Sequence, residues 1–172
     1  MGEKKTLEKL PFCLRNWMVM NRIPFREWRK QFFRNNMLLT CLEVAQELEE
    51  ILRRDKISVR MELKEVWADR NILCTMQVPS AVCALFYTMV CSQGRNRMVF
   101  SGKENCFICS AYSTDSLEKW EETPSWAVKE CRTLAVSYLQ SIGCEVDISQ
   151  SDRLDQISVR FKEAGKGEER WQ

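Results

Sequence analysis

The hydrophobic period of this chain switches from 3.6 to two near residue 56, and that switch admits few architectures. Leu38, Cys41, Leu42, Ala45, Leu48, Ile51 and Leu52 recur as one stripe, which predicts a helix over 37–52. Glu43, Glu47, Glu49 and Glu50 fall mostly off the stripe, and Arg53 and Arg54 suit the negative end of the helix dipole. Ile57, Val59, Met61 and Leu63 then alternate with Ser58, Arg60, Glu62 and Lys64, the signature of a half-buried strand. Ile72, Cys74, Met76 and Val78 alternate again beyond the turn Asp69-Arg70-Asn71, so the two runs are expected to pair as an antiparallel hairpin.

The apolar stretch from Pro79 to Cys91 fits a helix or a buried strand, and its length together with the Ser80-Ala81 opening favours the helix. Residues 97–101 and 105–113 predict a second hairpin around Gly102-Lys103-Glu104. For 124–142, Thr123 suits an N-cap, Pro124 the first helical position and Gly143 the position past the end. Two short strands follow, Cys144–Ser149 and Gln156–Phe161. A helix from about Pro24 to Asn35 precedes the first stripe, either separate from it or joined to it with a break near Asn35-Asn36.

This order predicts an α+β fold, an antiparallel sheet of five to six strands with amphipathic helices packed on one face. Residues 1–164 are expected to form one domain, with a basic, aromatic-rich helical N-terminal segment (1–36) and a flexible tail (165–172). Arg153, Asp155, Ile157, Ser158, Val159 and Arg160 repeat Arg53, Asp55, Ile57, Ser58, Val59 and Arg60 at a constant offset, which is either a decayed duplication or a coincidence in β-prone sequence.

Chemistry is constrained by two counts: nine cysteines and no histidine in 172 residues. Without an imidazole there is no Ser-His-Asp triad, no Cys-His dyad and no histidine-ligated metal. Cysteines that are scattered and odd in number read as small buried hydrophobes in a reducing compartment. The net charge of +2 gives no whole-molecule attraction to nucleic acid or membrane. No apolar run approaches the ~18 residues of a membrane span, and the charged start (Glu3, Lys4, Lys5) lacks a signal-peptide core. The expectation is an intracellular protein, nuclear or cytoplasmic rather than secreted, with no transmembrane segment.

Cys106 and Cys109 form a C-x-x-C inside a strand-like run, where an odd spacing puts the thiols on opposite faces and argues against a redox or metal pair. No phosphate loop, dinucleotide fingerprint or nucleophile elbow is present. No catalytic, metal-binding or cofactor-binding residue is assigned, and no cofactor is expected. Met1-Gly2-Glu3-Lys4-Lys5-Thr6 fits an acylation pattern at Gly2, with membrane contact only if that glycine is acylated.

The first 36 residues carry nine basic and three acidic side chains, a net of +6, which leaves about −4 for the remainder. Arg15, Arg22, Arg26, Arg29, Lys30 and Arg34 are candidates for phosphate contacts of a nucleic acid, with Trp17 or Trp28 stacking on bases. Trp17, Phe25, Trp28 and Phe32 are alternatively candidate partner-binding anchors, since aromatic residues and Arg are enriched at interfaces. A structural reading is also open, because aromatic spacing of three and four is core spacing.

Met98-Val99-Phe100-Ser101-Gly102-Lys103, the cysteine-bearing strand to Ser113, the following helix and Ile142-Gly143 resemble the later part of a TATA-binding-protein repeat. The resemblance covers residues 98–161. It implies that topology, and it implies that Phe100 matches the family's DNA-wedging phenylalanine. The functional expectation is a non-catalytic protein–protein interaction module, a small subunit or adaptor of a larger complex and not an enzyme. The alternative is a nucleic-acid-binding module using the basic N-terminal segment.

Overall fold

The computed structural model describes residues 31–93, 95–113, 125–151 and 154–164. In chain order these form β1 (Phe33–Asn36), α1 (Met37–Arg54), β2 (Ser58–Met61), a 3-10 turn (Glu65–Asp69), β3 (Asn71–Cys74), α2 (Val78–Gln93), β4 (Arg97–Lys103), β5 (Cys106–Tyr112), α3 (Ser125–Ser141), β6 (Glu145–Gln150) and β7 (Leu154–Arg160). Five strands make one sheet in the order β2-β4-β5-β7-β6, while β1 and β3 form a separate antiparallel pair. The α+β class holds. The sheet is mixed rather than antiparallel throughout, because β2 runs parallel to β4.

Each helix boundary has a local cause. The side-chain oxygen of Asn36, held in extended backbone, accepts from the Leu39 N–H at 3.2 Å and starts α1. Lys56, at φ 59°, turns the chain after the helix, and Ile57 is buried immediately beyond it. At the end of α3 the Gly143 N–H donates to the Gln140 carbonyl (3.1 Å) and the Cys144 N–H to the Leu139 carbonyl (2.9 Å), with Gly143 at φ +95°. That is the paired bonding of a Schellman end, and it requires the left-handed residue that glycine supplies.

Two expectations are corrected. The helix over 24–35 does not extend to its predicted end, because 33–36 is strand β1, paired with β3 from Phe33↔Cys74 to Asn36↔Asn71. The first predicted hairpin does not form, because β2 pairs with β4 and β3 with β1. Alternation fixes which face of a strand is buried but leaves its partner open. The chain between β2 and β3 is occupied by the 3-10 turn, which buries Trp67 completely. The Trp67 indole N–H donates to the Glu104 carbonyl at 2.7 Å, and its ring meets Phe107 edge-on at 6.0 Å. Trp67 also lies over Gly102, where an added Cβ would overlap both the indole and the Cys106 carbonyl.

The centre of the fold is α2. Ala81, Val82, Cys83, Ala84, Leu85, Phe86 and Met89 are all fully buried, so this helix is apolar around its circumference. It packs against α1, α3 and strands β5 and β7. Phe86 contacts Phe107 (5.2 Å) and Phe100 (6.3 Å). Phe100 is therefore a fully buried core residue, which corrects its reading as a wedge for DNA. The echoed segments occupy unlike places: Asp55 caps α1 and accepts from the Tyr87 hydroxyl (2.7 Å), whereas Asp155 lies within β7.

Asp155 forms a buried ion pair with Arg95, at 1% and 0% side-chain exposure. Arg95 donates to both carboxylate oxygens (3.1 and 3.3 Å), to Ser113 Oγ (2.8 Å) and to the Ser151 carbonyl (2.7 Å). One guanidinium thus ties the approach to β4, the end of β5 and the start of β7. Asp155→Ala, which strands this cation, is expected to destabilise the fold by about 3–5 kcal/mol. In urea denaturation, Arg95→Met/Asp155→Leu is expected to lose less than Asp155→Ala alone.

Candidate functional site

Of the residues singled out by sequence, Trp17, Phe25, Trp28, Arg15, Arg22, Arg26, Arg29, Lys30 and Gly2 lie outside the described residues. Phe32 is half-buried against the core. Arg34 is exposed on β1, in register with Leu73. Cys106 and Cys109 point to opposite faces of β5 as expected, paired with Lys103 and Phe100 of β4. Among the described residues no group of three or more Cys, Asp and Glu is placed to hold a metal ion, and no helix is long and apolar enough to cross a membrane.

Five of the described thiols are unreactive by position. Desolvation pushes Cys74 up to about 12 and Cys144 up to about 11. It also raises Cys109 well above the ordinary thiol value. Cys41 is raised by burial first and by the neighbouring Cys74 second. Cys106 is raised by desolvation, partly offset by Ser158 and Arg160. A thiol nucleophile needs the opposite, a lowered pKa beside a cation or base.

Polar groups instead collect along the seam between α2 and α3. Arg132 of α3, half-buried, donates through Nε to Thr88 Oγ1 of α2 at 3.2 Å, and the Thr88 hydroxyl donates to the Leu85 carbonyl at 2.5 Å. Towards the other end of the seam, the hydroxyls of Thr75 and Tyr138 share a 2.5 Å hydrogen bond. Gln77, 5% exposed, has neither side-chain amide atom hydrogen-bonded. The guanidinium of Arg132 thus bridges the two helices through a hydroxyl. Arg132 and Thr88 are 44 residues apart, belong to no motif and were not singled out from sequence.

A second surface lies on the outer side of α1, where Leu39, Leu42, Glu43, Gln46, Glu47 and Glu50 line an open groove of about 560 Å³. Leu39 is 60% exposed there. Desolvation, then the charges of Glu43 and Glu50, raise the Glu47 carboxyl above its ordinary value.

No family model matches the sequence, and no curated protein matches it. The fold does have solved counterparts. The cytoplasmic segment of histidine kinase QseC superposes with a TM-score of 0.61 at 11% identity, over 91% of this chain and 98% of that one. The catalytic domain of histidine kinase ThkA gives 0.52 at 13% identity, over 76% and 95%. Full-length ShkA in complex with AMPPNP gives 0.56 at 10% identity, over 88% of this chain and 36% of that one.

These likenesses correct the earlier expectations. The architecture is that of histidine kinase catalytic domains and not of a TATA-binding-protein repeat. The readings as a non-catalytic adaptor and as a nucleic-acid module are overturned with it. The non-catalytic reading rested on missing motifs, and a fold shared at 10–13% identity is carried by burial pattern rather than by motifs.

The raised thiols set a pH dependence. Below the ordinary value of 9.0 the buried thiols are neutral whether the chain is folded or unfolded, and they add no slope. Above it the unfolded chain loses protons that the folded chain keeps, so stability falls as pH rises. Urea denaturation under reducing conditions is expected to show no thiol contribution between pH 7 and 8. A decline should set in near pH 9, of at most about 1.4 kcal/mol per pH unit for each such thiol.

Proposed function

We propose that this chain works as a histidine-kinase-type catalytic domain, an enzyme-class module that engages an adenine nucleotide in phosphotransfer. The observation that carries the reading is the agreement of fold over 91% of the chain with the cytoplasmic segment of QseC. The AMPPNP complex of ShkA, matched over 88% of this chain, supports the nucleotide.

On the anionic side the described residues fit such a ligand. Arg132 offers a charged, planar donor set already oriented by Thr88, suited to the oxygens of a phosphate chain. The seam around it is built from the buried apolar residues Cys131 and Ala135 of α3 and the apolar body of α2, so charge there is weakly screened by water. On the side of a divalent metal ion they do not fit, since no group of three or more Cys, Asp and Glu among them is placed to hold one, and no step is drawn through a metal.

With no histidine in 172 residues, the chain cannot receive a phosphoryl group on an imidazole of its own. The acceptor histidine of the reaction then lies outside these residues, which makes a histidine-bearing protein segment the partner. Calorimetric titration with ATP and AMPPNP is expected to give saturable binding, weakened tenfold or more by Arg132→Ala and less by Arg132→Lys. A tenfold loss corresponds to about 1.4 kcal/mol. Absence of binding to either nucleotide at millimolar concentration, by protein whose circular dichroism shows it folded, would overturn the reading.

A further inference from the structure

We infer that the open edge of β6 pairs with the same strand of a second copy of this chain, joining two sheets into one. β2 and β6 are the two edges of the five-stranded sheet. β2 has only four residues. β6 has six, and Glu145, Asp147, Ile148, Ser149 and Gln150 are exposed along it. It carries neither a proline nor a lysine, residues that commonly blunt such an edge. Ile148, a large apolar side chain, stands 39% exposed in the middle of it.

The ladder to β7 fixes which backbone groups the edge offers. The Ser151 N–H donates to the Leu154 carbonyl at 2.9 Å, at the turn end of that ladder. Hydrogen-bonded pairs alternate along antiparallel strands, so Ser149↔Gln156, Asp147↔Ser158 and Glu145↔Arg160 are the bonded ones. The N–H and C=O groups of Val146, Ile148 and Gln150 therefore point away from β7, to the open side. A second β6, laid antiparallel with Ile148 opposite its own counterpart, satisfies all of them. The two Ile148 residues exchange both their bonds, and so does each flanking pair of Val146 with Gln150.

The side chains make the strand complementary to itself about Ile148, which is why the occupant is a second copy. Ile148 pairs with the buried Ile157 and so lies on the helix-covered face of the sheet. The two copies of Ile148 meet on that face and remove each other from water. On the other face Asp147 falls opposite Ser149 of the second copy, and Glu145 opposite Ser151, so each carboxylate meets a hydroxyl. The neighbouring registers are worse. Centring the pair on Asp147 sets two carboxylates directly opposite, and centring it on Ser149 sets Ile148 against Gln150. This edge is separate from Arg132, and its pairing does not depend on the nucleotide reading.

Sedimentation of the full-length protein under reducing conditions is expected to show a monomer–dimer equilibrium. Ile148→Lys sets two like charges opposite each other and is expected to weaken the dimer tenfold or more. Ser149→Lys faces Asp147 of the second copy and is expected to strengthen it severalfold, a gain lost in about 0.5 M salt. Both positions are exposed, and circular dichroism checks that the variants are folded. Register is read by cross-linking. Copper–phenanthroline oxidation is expected to join Ile148→Cys into a covalent dimer, and to join neither wild type nor Ser149→Cys, whose thiols are offset along the strands beyond disulfide reach. A wild-type protein that stays monomeric at millimolar concentration overturns the inference. So does a dimer that folded Ile148→Lys leaves intact, or one that Ser149→Cys links as readily as Ile148→Cys.

Discussion

The burial of α2 on every side is the constraint from which the rest of the fold follows. A helix with no polar face must be enclosed, and three kinds of neighbour enclose this one: the inner face of the sheet, α1 and α3. The stack of Phe86, Phe100 and Phe107 joins helix to sheet, and Trp67 closes the far side of Phe107. Gly102 is smooth because Trp67 lies over it, and the β4–β5 hairpin closes close beside that contact. Filling the interior in this way leaves hydrogen-bonding groups few places to sit, so those that remain inside are informative.

What the sequence made legible is what short-range pattern controls. The stripe of α1, the hairpin of β4 and β5, and the glycine-ended α3 all follow from residues within a few positions of one another. Strand partnership is a different matter. Ile57, Val59 and Met61 alternate as an edge strand should, yet nothing local distinguishes a parallel partner at Arg97–Phe100 from an antiparallel one at Asn71–Cys74. The choice is made by Trp67, whose burial against a strand 40 residues away diverts the chain. Strand β1 was hidden for a similar reason. Phe32, Phe33 and Arg34 continue a helix-like spacing, and only pairing with β3 and the extended conformation that Asn36 needs as a cap make them a strand.

The site was less legible than the fold. The thiols drew attention by number, but the structure uses them as small hydrophobes: Cys41, Cys74, Cys83, Cys109, Cys131 and Cys144 are buried at 0–5% exposure. The polar groups held inside or at the edge of the interior pair across long separations instead, Arg132 with Thr88 and Arg95 with Asp155. Neither pair is a motif, and neither residue type is unusual where it stands in the sequence. Only the folded neighbourhood distinguishes Arg132 from the other described arginines, most of which lie at the surface.

Arg95 and Arg132 differ in burial and in partner. Arg95 is neutralised by a carboxylate and joins three strands, so its charge serves the fold that surrounds it. Arg132 is half-buried, and its Nε donates to the Thr88 hydroxyl, so it ties α3 to α2 from the edge of the interior rather than within it. A cation at that edge keeps part of its hydration, which a side chain as enclosed as Arg95 gives up and must replace with fixed partners.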